Sequence, residues 1–276
     1  MMIELTLNKE FAKKYIVEFI REESKKIGLK KTVIGLSGGI DSALSFYLSV
    51  EALGNENVIG IIMPYGELGE KSKLDAIKIT EILKTEREVV DIKAMCDPYF
   101  EKEKMDRVRK GNYMARTRMA VLFDKSKKYS AFVTGTSNKS EILVGYTTWY
   151  GDMAASILPL GDLYKTQVRI LAKYLGVPDF ILNKVPSAGL WEGQSDEGEM
   201  GITYDELDKI LYLLVDLRKK PSEIVKEGFD EVKVNKVLKM VFNSHFKRKF
   251  PPVPKISSRT VGIDFLYFRD YRPPYL

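Results

Sequence analysis

A single cysteine, Cys96, and a single histidine, His245, in 276 residues remove several kinds of chemistry at once. No intrachain disulfide can form, which fits a reducing cytosol. No zinc site of the usual His/Cys kind can be built. Any metal must therefore sit on carboxylates, which favour hard cations such as magnesium. Cys96 lies in Met95-Cys96-Asp97-Pro98, with no histidine nearby in sequence and no glycine-rich elbow, and it reads as inert. Apolar runs near the roughly 20 residues needed to cross a bilayer are also missing. The polar start from Met1 to Lys14 has no signal-peptide core. The expectation is a cytoplasmic protein with no membrane partner.

What is present is charge of both signs, with a net excess of +6. Such a surface suits polyanions, among them nucleic acids, ATP and dinucleotides. The basic residues are spread along the chain and form no tail, so most of them read as a solvated mixed-charge face. The length suits one large domain, and 1–276 is read as a single unit with a helical C-terminal part.

Helices and strands alternate through the first half. Asn8 can cap a helix to about Ile27, with Phe11, Tyr15 and Phe19 spaced i, i+4. Strands are expected at Thr32–Leu36, Val58–Met63, Glu88–Ile92 and Ala131–Thr134. Helices are expected at Asp41–Leu53, Glu70–Leu83 and Asn112–Lys128. This is an α/β pattern, a parallel sheet covered on both faces. Beyond Pro159 the strand signals thin out. Helices follow at Tyr164–Leu175, Tyr204–Leu217 and Asp230–Phe246, with a polar, glycine-rich stretch from Ser187 to Gly201. The proline- and aromatic-rich Pro251–Leu276 is expected to be irregular.

The sharpest local signal is Ser37-Gly38-Gly39-Ile40-Asp41-Ser42, with a strand before it and a helix after it. Adjacent glycines let backbone N–H groups approach a phosphate, and the helix N-terminus adds partial positive charge. Asp41 would repel phosphate unless a divalent cation lay between them. There is no Gly-Lys-Ser/Thr ending, so this is not a Walker A loop.

The motif resembles the pyrophosphate loop of the N-type ATP pyrophosphatases, and four further segments resemble the NAD synthetase branch of that superfamily. They are Gly111-Asn112-Tyr113-Met114-Ala115-Arg116-Thr117-Arg118-Met119, Gly135-Thr136-Ser137-Asn138-Lys139-Ser140-Glu141, Pro159 to Lys165, and Pro186 to Tyr204. The resemblance implies a Rossmann-like three-layer sandwich of the adenine nucleotide alpha hydrolase-like type. It also implies amidation of deamido-NAD by ammonia, with ATP as co-substrate and Mg²⁺ as cofactor, through an acyl-adenylate. By position, Gly35, Leu36, Ser37, Gly38, Gly39, Ile40, Asp41, Ser42, Thr136, Lys165 and Ser187 match ATP contacts. Asp41 and Glu141 match metal ligands, and Asn112 and Arg116 match dinucleotide contacts. Asp152 matches an aspartate beside the reacting carboxylate and is assigned to positioning ammonia; Asp41, Lys165 and Asp152 form the catalytic set. Homodimers are the family habit.

The chain departs from the family at three substrate positions. Trp149 stands where a lysine is usual, Ser156 where an aspartate is usual, and Phe246-Lys247 where a His-Lys pair is usual, with His245 one place early. Trp149, Ser156, Phe246 and Lys247 are carried as substrate-side candidates, with Trp149 free to stack on a ring. No stretch could supply a glutaminase, so ammonia comes from solution or a separate protein. The rivals are a tRNA-modifying enzyme with the same loop and a non-catalytic nucleotide-binding protein. No RNA-binding module or catalytic cysteine set supports the first. Joint retention of Asp41, Glu141 and Lys165 argues against the second.

Overall fold

Asn8 accepts the Phe11 N–H at 3.1 Å and starts α1 (Lys9–Ile27), which ends at Gly28 with φ 78°. The buried stripe of α1 is Ala12, Ile16, Val17, Ile20 and Ser24. Phe11 and Tyr15 instead lie 64% and 66% exposed, stacked on each other at 5.7 Å. In this computed structural model residues 5–265 are described.

The sheet is built by β1 (Lys31–Gly35), α2 (Ile40–Leu53), β2 (Val58–Ile62), α3 (Glu70–Ile82), β3 (Glu86–Val89), α4 (Lys93–Phe100), α5 (Arg107–Lys128) and β4 (Ala131–Thr134). All pairings are parallel and the strand order is β3-β2-β1-β4. Alternation with period two divides the core. Ile34, Leu36, Val58, Ile62 and Phe132 join the α1–α2–α3 side, while Val33, Ile59, Ile61 and Val133 pack toward α4 and α5. The result is a three-layer α/β sandwich.

After β4 come α6 (Lys139–Val144), α7 (Lys165–Tyr174), α8 (Asp179–Leu182), α9 (Asp196–Met200), α10 (Tyr204–Leu211), α11 (Pro221–Lys226) and α12 (Glu231–Asn243). A separate apolar cluster around Tyr204, Leu207, Leu211, Ile224 and Val237 binds the later helices together. No helix among the described residues is long and apolar enough to cross a membrane.

The sequence expectations differ from this at definite places. The third strand is Glu86–Val89, not Glu88–Ile92, because register with β2 pairs Ile59 with Glu86 and Ile62 with Val89. As an edge strand it tolerates exposed charge that reads poorly as a strand. The α5 helix starts at Arg107, not Asn112, because Asp106 accepts the Arg109 N–H at 2.8 Å and caps it earlier. The α4 helix, with Pro98 inside, was not expected. Nor were α6, α8, α9 and α11. The expected Tyr204–Leu217 helix passes into a π-turn over Tyr212–Asp216, and the expected Asp230–Phe246 helix ends at Asn243. Of Pro251–Leu276, residues 251–265 are irregular apart from a bridge between Val261 and Phe265. The rest of that segment lies outside the described residues.

The chain passes from β1 outward through β2 to β3 and returns to pair β4 on the other side of β1. Loops leaving the carboxyl ends of β1 and β4 must therefore diverge, which opens a crevice between them. Gly60 permits the tight cover of β2: a Cβ there would lie 2.7 Å from Leu36 Cδ1 and 3.0 Å from Thr80 Cγ2. Gly60→Val should lower unfolding free energy by about 2 kcal/mol through overpacking. Urea denaturation checks this, and an unchanged midpoint would show that the layer can yield.

Candidate active site

The loop after β1 is held by its own hydroxyls. Leu36 is buried, and its N–H donates to the Ile61 carbonyl at 2.9 Å. The Ser42 hydroxyl donates to the Gly39 carbonyl at 3.0 Å and accepts the Ser37 N–H at 3.3 Å. Ser37 Oγ lies 3.0 Å from Ser42 Oγ and accepts the Gly39 N–H at 3.2 Å. Gly39 is the N-cap of α2 and no side chain caps that terminus. The first-turn N–H groups of α2 thus have no side-chain partner at the mouth of the crevice, an arrangement suited to an anion. Gly38 has φ 72°, and a Cβ on it would stand 2.2 Å from the Ser72 carbonyl oxygen, so only glycine fits.

Three charged side chains meet beside this loop. Asp41 comes from the first turn of α2, Glu141 from the first turn of α6, and Lys165 from the first turn of α7. The Lys165 ammonium pairs with Asp41 Oδ2 and lies 3.1 Å from Glu141 Oε1. It also lies 5.1 Å from the centre of the Tyr204 ring. Asn138 ties the two carboxylates together. Its amide donates to Asp41 Oδ1 at 2.8 Å, while its carbonyl and N–H form a reciprocal capping box with Glu141.

Burial pushes the Glu141 carboxyl up to about 7, against the pull of Lys165 and with help from the Asp41 charge. Burial also works against the Lys165 ammonium, but Asp41 and Glu141 outweigh it and hold that group above the usual lysine range. The placement of Lys165 depends on Ser140 and Asp208. Its N–H donates to Ser140 Oγ at 2.9 Å, and the Ser140 hydroxyl donates to Asp208 Oδ1 at 2.5 Å. The Thr166 N–H donates to Asp208 Oδ2 at 2.8 Å. Asp208, fully buried on α10, therefore anchors the α7 terminus; burial raises its carboxyl pKa.

Two hard-oxygen carboxylates converging on one cation fit magnesium, which is content with one or two protein carboxylates when phosphate and water complete its shell. Among the described residues no three His, Cys, Asp or Glu side chains form a ready-made cage, so phosphate would have to supply the remaining ligands.

The acceptor-side candidates gather on a different segment, 145–152. Asn112 Oδ1 accepts the Thr148 hydroxyl at 2.7 Å, and Arg116 Nε donates to the Trp149 carbonyl at 3.2 Å. Asp152 Oδ1 accepts the Thr148 N–H at 2.6 Å. Trp149 stacks on Tyr150 at 4.6 Å and meets the edge of Phe246 at 5.2 Å. Lys247 donates to the carbonyls of Gly145 at 2.8 Å and Thr147 at 2.7 Å, and burial lowers its pKa.

Other candidates are engaged differently. The Ser156 hydroxyl accepts the Val133 N–H at 3.1 Å, and so is tied to the sheet. Thr136 is half-buried just past β4, and Ser187 is exposed, its Oγ accepting the Gly189 N–H at 3.1 Å. The Ser187–Gly201 stretch is more ordered than a plain loop. It contains α9, and Asp196 Oδ1 accepts the Ala188 N–H at 3.1 Å while Tyr204 donates to Oδ2 at 3.2 Å. Leu190 and Trp191 press on Gly111 of α5. An open hollow of about 360 Å³ lined by Lys236, Lys239, Met240, Phe246 and Lys247 touches only the last two candidates.

Sequence reasoning missed Asn138, Ser140, Asp208 and Tyr204 as supports of the charged cluster. Asn138-Lys139-Ser140-Glu141 carries a legible capping signature. Asp208, inside an amphipathic helix, carries none.

The NAD synthase family model matches residues 12–251. An NH(3)-dependent NAD(+) synthetase of Trichlorobacter lovleyi is 48% identical over 271 residues, 98% of this chain and 99% of the relative. One of Fusobacterium nucleatum is 46% identical over 256 residues, 92% of this chain and 99% of the relative. Among solved structures, the NMN synthetase of Francisella tularensis superposes with TM-score 0.81 at 34% identity, covering 91% of this chain and 100% of that one. The NH3-dependent NAD synthetase of Campylobacter jejuni, solved with a nitrate ion, gives TM-score 0.78 at 30% identity with the same coverage.

Lys165→Met should strand two largely enclosed carboxylates and cost about 3 kcal/mol of stability near neutral pH. The chemical-denaturation midpoint measures this, and a wild-type value would mean that the carboxylates are solvated without the lysine.

Proposed function

The chain belongs to the NAD synthase family, and we propose that the crevice between the carboxyl ends of β1 and β4 is where its chemistry takes place. The reaction is that of an ammonia-dependent ligase of NAD biosynthesis: ATP-dependent amidation of deamido-NAD, yielding NAD, AMP and pyrophosphate. The observation that carries the site reading is the meeting of Asp41, Glu141 and Lys165 beside a glycine loop and an uncapped helix start.

A carboxylate is a poor electrophile, because ammonia would have to expel an oxide. Attack of a nicotinate carboxylate oxygen on the α-phosphorus of ATP makes that oxygen part of AMP, a far better leaving group. Pyrophosphate departs in the same step. The first-turn N–H groups of α2, which have no side-chain partner, suit the β,γ-phosphates, and the Ser37 and Ser42 hydroxyls would add donors on turning from their partners within the loop. Lys165 supplies a fixed positive charge where negative charge accumulates. Mg²⁺ held by Asp41 and Glu141 would, when bound, add charge neutralisation at the departing pyrophosphate.

Ammonia then attacks the mixed anhydride, the C–N bond forms and AMP leaves. Asp152 is assigned to positioning that ammonia, and Ser187 and Thr136 to ATP. Asn112, Arg116, Trp149, Ser156, Phe246 and Lys247 are assigned to the dinucleotide acid. In Trp149 and Phe246 an aromatic wall replaces the charged contacts of the family pattern, which suits stacking on a ring. The 187–201 strap suits a lid, since an acyl-adenylate hydrolyses when water enters. The same reading extends to a single 1–276 unit, a homodimer, a cytoplasmic location, and ammonia from solution or a separate glutaminase.

Asp41→Ala should lower deamido-NAD-dependent pyrophosphate release by at least about a hundredfold with the circular-dichroism spectrum unchanged; near-normal turnover would remove Asp41 from the site. Because one solved relative is named an NMN synthetase, nicotinate mononucleotide is the informative competing acceptor. Higher kcat/KM with the mononucleotide than with deamido-NAD would reassign the acceptor. At fixed total ammonium and below ammonium's own pKa, the rate should climb toward about tenfold per pH unit, because only NH₃ is nucleophilic. A flat profile from pH 7 to 9 would mean that another step limits turnover or another donor is used.

A further inference from the structure

Lys184 lies just past α8 and three residues before Ser187, and its ammonium makes three bonds at once. It donates to the Gly38 carbonyl at 3.0 Å, to Ser72 Oγ at 2.9 Å and to Asp75 Oδ2 at 3.0 Å. Asp75 is only 4% exposed, so its charge depends on this partner. The three acceptors belong to the loop after β1 and to the first turns of α3. A single side chain thus ties the segment leading into the strap, the loop and α3 together.

The bond to Gly38 fixes more than one atom. A trans peptide is planar, and its C=O and N–H point to opposite sides. With the Gly38 carbonyl turned to Lys184, the Gly39 N–H must point away from it. It is found 3.2 Å from Ser37 Oγ, on the inner side of the loop. Glycine flanks this peptide on both sides, so nothing intrinsic to the residues prevents it from turning over. In the turned state a carbonyl oxygen, not an N–H, would face an incoming phosphate.

We propose that Lys184 is a positioning residue for ATP: it locks the Gly38–Gly39 peptide with its carbonyl turned away from the phosphates and its N–H on Ser37 Oγ, and it holds the strap bearing Ser187 in register with that loop. This rests on the phosphate-loop reading above. A merely structural Lys184–Asp75 pair would affect stability alone. The positioning role predicts a defect specific to ATP.

The test compares wild type with Lys184→Met, Lys184→Arg and the double variant Lys184→Gln/Asp75→Asn, which removes both charges and so avoids stranding one in the core. Steady-state kinetics are run with each substrate varied, alongside thermal melts. In Lys184→Met the KM for ATP should rise roughly tenfold, as for loss of one hydrogen bond to a charged group. The KM for deamido-NAD should move less than about twofold, and Lys184→Arg should recover most of the ATP affinity. The double variant should melt near the wild-type temperature and show the same ATP defect. A double variant with wild-type KM for ATP overturns the proposal, as does a Lys184→Met that loses stability but not ATP affinity. Asp41→Ala run in parallel separates the two levels. If it too leaves turnover and ATP affinity intact, the loop reading fails; if only the Lys184 variants are silent, the positioning role alone fails.

Discussion

An ammonium buried between two carboxylates is the constraint around which the other elements arrange themselves. Asp41, Glu141 and Lys165 are separated by 124 and 24 residues, yet they share one point among helix starts. None of the three could be buried alone without a large desolvation cost, and each makes the burial of the others tolerable. The topology follows. The α2 helix must leave β1 and the α6 helix must leave β4 on the same edge of the sheet, and α7 must point its first turn between them. Asp208 and Ser140 fix that third approach by accepting and relaying the N–H groups of Lys165 and Thr166.

The same edge collects positive potential from the backbone. An uncapped helix start supplies the donors, while two glycines without side chains and two hydroxyls bonded within the loop hold the backbone in place beside it. The carboxylates just beside it prevent it from being an indiscriminate anion sink. A phosphate chain can settle there comfortably only with extra positive charge, from Lys165 or from a metal. Opposed charges held a few ångströms apart by rigid elements would, on the proposed reading, be pre-organised for a transition state in which negative charge moves onto the departing pyrophosphate.

On the acceptor side the chemistry is softer. Segment 145–152 is held by backbone contacts from Arg116, Lys247 and Asp152, and its outward face is aromatic. The side chains that hold the segment are thus the residues assigned to the substrate. On that assignment, rigidity and recognition would come from the same groups.

Much of the first half was legible from local patterning. The short apolar runs at Thr32–Leu36, Val58–Met63 and Ala131–Thr134 marked three strands, and Ser37–Ser42 marked a glycine turn between a strand and a helix. These features are dictated within a few residues, by short β-branched and apolar runs bounded by turn residues and by what glycine permits. Less legible were features whose cause lies elsewhere in the chain: the charged edge strand at Glu86–Val89, the order imposed on the 187–201 strap by Asp196, and the buried anchor Asp208. The roster of charged residues at the site could be picked out by resemblance. Their convergence was implied by that resemblance too, but local patterning could not supply it, because whether Asp41 and Glu141 face one cation or opposite walls depends on strand order. The amino-acid order alone set which segments could be strands, helix starts or anion loops. Only the packed sheet decided which of them meet, since a charge finds its partner through space and not along the chain.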